Sequence, residues 1–88
     1  MKTLFVRDLL NGSRLIGNQV TLLCWVKARR DQGHLVFLDL CDSTGSIQGV
    51  ASFQMVNSFP VAKEVPLESA VRAVGTFEQG CQGYEIHL

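Results

Sequence analysis

Apolar and polar residues alternate with a period of two along most of this 88-residue chain, and helical spacing is scarce. The segment Val20 to Arg30, VTLLCWVKARR, is rich in β-branched and aromatic residues and predicts a strand over 20–30 that ends in a basic cluster. Asp31-Gln32-Gly33 predicts a hairpin turn, with Gly33 free to take a positive φ. A second strand is expected over 35–41, a turn over Asp42-Ser43-Thr44-Gly45, and a third strand over 46–52. From Phe53 to Pro66 the alternation stops. Asn57, Ser58, Pro60 and Pro66 punctuate this stretch, and Pro60 to Glu64 predicts one or two helical turns, since proline is tolerated in the first turn. Strands over 70–78 and 84–88 follow, joined by a turn containing Gly80 and Gly83. Leu4 to Leu10 predicts a short helical cap closed by Asn11-Gly12. Repeats and linkers are lacking, so residues 1–88 read as a single domain.

Five short antiparallel strands with a small helix between the third and fourth predict an all-β, five-stranded Greek-key barrel, the OB-fold, one face of which binds oligonucleotides or oligosaccharides. A small sandwich or an SH3-like barrel does not expect the inserted helix. Within the second strand, Val36, Leu38 and Leu40 share one face, and Leu35, Phe37 and Asp39 share the other. The aliphatic face belongs inside. Phe37 then has two readings, an exposed ring or a ring packed under a loop or the N-terminal cap, and alternation leaves both open. In the third strand Ile47, Gly49 and Ala51 turn inward, which turns Gln48 outward within reach of Phe37. An exposed ring beside an amide suits base reading: the ring stacks, and the amide supplies a donor and an acceptor. Lys27, Arg29 and Arg30, alone a solvated run beside a turn, become phosphate anchors on such a surface. Trp25 reads as core or rim packing.

Charge narrows the partner. Eight basic and eight acidic residues cancel, which excludes a sequence-blind coat protein held by a large positive excess. The cancellation hides an asymmetry. Lys2, Arg7, Arg14, Lys27, Arg29 and Arg30 face only Asp8 and Asp31 in the first 34 residues, leaving +4 there and −4 in the remainder. A polyanion is expected to meet the first third. Three cysteines, Cys24, Cys41 and Cys81, form no paired framework and suit a reducing compartment. With no signal segment or apolar span, a cytoplasmic location without membrane partners is expected. Neither a metal site nor a cofactor is expected, since the cysteines, His34 and His87 match no ligand spacing. Catalytic residues are not expected either: no phosphate loop or nucleophile elbow occurs, and Asp39 and Asp42 fall on opposite faces.

From Gly17 to Gln48 the chain follows the pattern G-x-x-V-x-x-x-G-W-V-x-x-x-R-D-x-G-x-[LI]-x-F-[IL]-D-L-R-D-x-x-G-x-[IV]-Q. It resembles the N-terminal anticodon-binding domain of class II aminoacyl-tRNA synthetases of the aspartyl/asparaginyl/lysyl subgroup, most closely the aspartyl and asparaginyl enzymes. Leu67 to Gly75 and Gly83 to Ile86 look like the same domain's last two strands. The resemblance implies a tRNA anticodon loop as partner, with Phe37 stacking on the central uridine and Gln48 reading it. It also implies a basic anticodon contact at Arg30 and a glutamate at the anticodon's edge in Glu85. Cys24 stands where the pattern has glycine, Cys41 where it has arginine, and the turn from Glu78 to Gly83 is acidic where relatives often carry basic residues. The synthetase's catalytic domain, a further partner if the natural chain continues, is not among these residues, so no amino-acid activation is expected of them. The alternative is a free-standing OB-fold used for protein–protein contact or other single-stranded nucleic acid.

Overall fold

Odd-membered rings of strands cannot alternate direction all the way round, and that parity shapes this molecule. The computed structural model describes residues 3–11, 13–81 and 83–88. Lys2 and Gly12, counted above in the basic third and the cap closure, lie outside them. In chain order the elements are β1 (Thr3–Leu4), α1 (Val6–Leu10), a 3-10 turn (Ser13–Leu15), β2 (Gln19–Asp31), β3 (Leu35–Asp42), β4 (Gly45–Ser52), α2 (Ser58–Glu64), β5 (Ala70–Gly80) and β6 (Gly83–His87). The sheet runs β1-β2-β3-β4-β6-β5, and β5 returns to pair with β2, closing a five-stranded ring. Four of the ring's contacts are antiparallel, while β4 and β6 run parallel. That one parallel contact is the minimum a ring of five strands requires. It corrects the expectation of wholly antiparallel pairing. The two-residue β1, parallel to β2, is too short to leave a periodic signal.

Alternation fills the barrel. Val20, Leu22, Cys24 and Val26 of β2 meet Val36, Leu38 and Leu40 of β3, with Ile47, Ala51, Phe77 and Ile86 from the other strands. Phe77 is fully buried and anchors the centre. At Gly75 an added Cβ would lie 2.3 Å from the carbonyl oxygen of His87, so only glycine lets β6 end where it does. Burial pushes the Cys24 thiol up to about 11, so it is an unreactive packing group at neutral pH.

The two helices cover different ends. Val6 and Leu9 of α1 are fully buried beside the β3–β4 turn, where Asp42 holds the arrangement together. One Asp42 oxygen accepts from the Val6 N–H (2.8 Å), and the other accepts from the Thr44 N–H (2.7 Å) and hydroxyl (2.6 Å). Burial alone would raise this carboxyl. The Thr44 hydroxyl and the N–H groups of Val6, Thr44 and Gly45 outweigh it and hold the group below the usual carboxylate range. A lowered folded value means that the stabilisation is complete above the ordinary carboxylate range and lost as pH falls through the folded value. Asp42→Asn is expected to cost about 1–2 kcal/mol at neutral pH. It should also flatten the acid side of the stability profile, as read by urea melts at pH 7 and pH 3. An unchanged acid slope would contradict this role.

At the other end α2 begins at Ser58, two residues before Pro60, which occupies its first turn. Lys63 pairs with Asp31 at 3.1 Å, and Arg29 Nη1 donates to the Val65 carbonyl at 2.5 Å. Gly33 takes φ 84° in the β2–β3 turn, as its position there requires, and its N–H donates to Asp31 Oδ1.

Candidate nucleic-acid interface

Strand register builds this surface as two rows of side chains on the outer face of the barrel. The first row crosses β2, β3, β4 and β6 through Arg30, Phe37, Val50 and His87, each paired with the next. The second crosses the same strands through Ala28, Asp39, Gln48 and Glu85. Directly paired residues share a face, and diagonal neighbours across a strand pair lie within reach of long side chains. Phe37 and Gln48 are such a diagonal pair. They line one hollow of about 300 Å³ together with Arg30, Asp39 and Ala28.

Strict alternation along β2 would have defeated this arrangement. Val20, Leu22, Cys24 and Val26 point inward, so an unbroken strand would carry Ala28 and Arg30 inward as well. The register with β3 slips between Val26 and Ala28, leaving Lys27 as the extra residue of a β-bulge. The slip turns Ala28 and Arg30 outward. It also turns Arg29 and Asp31 toward the barrel end, where they engage Val65 and Lys63 of the α2 region. The predicted basic cluster is therefore divided. Arg30 lies beside Phe37, its guanidinium carbon 4.7 Å from the ring centroid. Arg29 borders the hollow, but its guanidinium is engaged by the Val65 carbonyl. Lys27 is exposed and lines a separate surface with Trp25, Glu68 and the β3–β4 turn. Trp25 itself is 37% exposed, between Cys41 and Ala70.

Phe37 is half-buried, intermediate between the two sequence readings of a freely exposed ring and a ring packed under a loop or the N-terminal cap. Gln48 Nε2 donates to Glu85 Oε2 at 3.3 Å, and His87 Nε2 donates to Glu85 Oε1 at 2.7 Å. A carboxylate only accepts, so these contacts set which end of the amide faces Glu85. Asp39 was set on the face of Phe37 by alternation but given no part in the site, and His87 was not singled out from the sequence as part of this surface. A period-two reading finds both, since Asp39 stands two residues from Phe37 and His87 two from Glu85. Among the described residues no group of three or more His, Cys, Asp or Glu side chains is placed to hold a metal ion. No helix there is long and apolar enough to cross a membrane.

A second hollow, of about 270 Å³, lies between α2 and strands β2, β3 and β5. Its walls are mainly aliphatic, with Asn57, Ser58 and Arg72 as the polar members. It lacks the ring-and-amide pairing of the first.

The family model of the tRNA anticodon OB-fold nucleic acid binding domain matches residues 20–88. The chain belongs to that family. An aspartate–tRNA ligase of Ruminiclostridium cellulolyticum is 41% identical over 65 residues, which are 74% of this chain and 11% of the ligase. An asparaginyl-tRNA synthetase from Pyrococcus horikoshii, solved with asparaginyl-adenylate, superposes with a TM-score of 0.84 at 28% identity, over 99% of this chain and 21% of that one. An aspartyl-tRNA synthetase from Entamoeba histolytica shares the fold, with a TM-score of 0.83 at 21% identity over 99% of this chain and 20% of its own. The chain thus spans about a tenth to a fifth of these relatives. The anticodon-binding OB-fold is a non-catalytic domain, and these 88 residues correspond to it.

Proposed function

We propose that this OB-fold binds a tRNA anticodon loop as the recognition module of an aspartyl- or asparaginyl-type synthetase, stacking the central uridine on Phe37 and reading it with Gln48. The observation that carries the proposal is the shared hollow, with an aromatic ring, an amide of set direction and an arginine on one face of a barrel from this family. Each feature alone is common. Their convergence where the register is fixed by two strand pairings is what suits a splayed-out base.

Arg30 has two tasks in this reading. In the free domain its guanidinium covers Phe37. A base that stacks on the covered face displaces it, leaving a mobile cation at the rim for a phosphate. Arg29, held by Val65, contributes charge without such freedom. Lys27 adds a more distant phosphate contact from the bulge. Glu85 meets the loop's edge while it holds Gln48. The partner beyond tRNA is the catalytic domain of the synthetase, which the similar enzymes carry in the remainder of their chains. A cytoplasmic setting accompanies that role.

Titration of the 88-residue chain with an anticodon stem-loop over a range of salt tests the proposal. Affinity should fall with salt at a log–log slope of about −0.7 for each phosphate neutralised. Arg30→Ala should lower the affinity and reduce that slope by about one phosphate's share. A flat salt plot, or no binding to the stem-loop, would contradict the proposal and return the face to protein contact.

A further inference from the structure

We propose that His87 and Gly80 are positioning residues for base choice: together they set the carboxylate of Glu85, and through it the direction in which the Gln48 amide faces a base. The inference rests on the reading of Gln48 given above and extends it to two residues that the base does not touch.

An unrestrained glutamine amide cannot choose between uracil and cytosine. Uracil presents an acceptor beside a donor, cytosine a donor beside an acceptor, and an amide that flips satisfies either. Discrimination therefore requires a group that fixes the flip. Glu85 is that group, because its carboxylate can only accept and so draws the NH₂ end of Gln48 toward it. The NH₂ keeps a second hydrogen, and the carbonyl oxygen faces away from the carboxylate. That leaves one donor and one acceptor in a set order.

A carboxylate on a flexible stem needs fixing in turn. Glu78 lies directly opposite Glu85 across the β5–β6 pair, and like charges on facing positions repel. His87 supplies the counterweight, donating to Oε1 at 2.7 Å while Oε2 is left for Gln48. The two residues share one face of β6, two positions apart. His87 is itself located by its backbone, which passes close against Gly75 and pairs with Val50 and Thr76. Gly80 supplies the room. An added Cβ there would lie 2.5 Å from Glu85 Oε2, so the observed carboxylate position exists only because that residue has no side chain.

The test measures a ratio rather than an affinity. Two stem-loops differing only in uridine or cytidine at the central anticodon position are titrated against wild type, His87→Ala, His87→Gln and Gly80→Ala, with a thermal melt of each. Wild type should prefer the uridine loop by about tenfold or more. His87→Ala and Gly80→Ala should each bring that preference below about threefold, chiefly by tightening the cytidine loop relative to uridine. His87→Gln, which keeps an N–H donor for Glu85, should restore much of it. Gly80→Ala asks only a flexible side chain to move, so it keeps the test alive if His87→Ala fails to fold. A wild-type preference retained by folded His87→Ala and Gly80→Ala would overturn the clamp while leaving Gln48 as the reader. Equal affinities in wild type would overturn both.

Discussion

Replacing Phe37 with alanine should weaken binding of an anticodon stem-loop by about 1–3 kcal/mol, roughly 5- to 150-fold, while the domain stays folded. The ring stands on the outer face of β3, outside the aliphatic interior formed by Val36, Leu38 and Leu40. It pairs with Val50 on one side and Arg30 on the other. Half-burial means that alanine also removes some cover from Val50, so a modest loss of stability of about 1 kcal/mol accompanies it. Binding measured per folded molecule separates the two effects. A steep fall in the melting temperature with unchanged affinity would show the ring to be a structural prop. A stacking role predicts the reverse.

Gln48→Ala should lower affinity for the uridine loop by about 1–3 kcal/mol, by analogy with bidentate readout of bases in DNA, and nearly abolish the preference for uridine over cytidine. Stacking on Phe37 is retained, so residual binding persists with little base choice. The change also releases Glu85 from one of its two partners, leaving His87 as the other. Because Gln48 lies on the outer face between Asp39 and Glu85, truncating it opens no cavity in the core. The melting temperature should therefore move little. A uridine preference that survives in the folded variant would move the reading task to another group, with Asp39 and Glu85 next in line on the same row.

Most of the barrel was legible because its strands are half-buried ribbons, and burial on one face writes a period of two into the sequence. Alternation in 35–41 named the buried face of β3 and set Phe37 on the other, without deciding between an exposed ring and one packed under a loop or the cap. The turn at Gly33 and the helix around Pro60 were legible from glycine and proline, whose backbone limits are local. What escaped was non-local. Nothing in Val26-Lys27-Ala28 announces a bulge, because the extra residue is defined by the partner strand and not by its own type. That omission hid the division of the basic run, with Arg30 beside the ring and Arg29 turned to Val65. From the sequence Glu85 is one candidate, beside a backbone group, for holding the Gln48 amide, but the register that joins the two was not legible for the same reason. It depends on a parallel contact between β4 and β6, strands separated by a helix and all of β5.

Comparing two stem-loops that differ only in the central anticodon base, each titrated against the unmodified 88-residue chain at one salt concentration, addresses the central claim most directly. Phosphate contacts and loop architecture are common to both, so the difference reports the base edge alone. With the Gln48 amide directed by Glu85, the uridine loop should bind more tightly by about 1–3 kcal/mol. Equal affinities for the two loops would contradict uridine reading by this face.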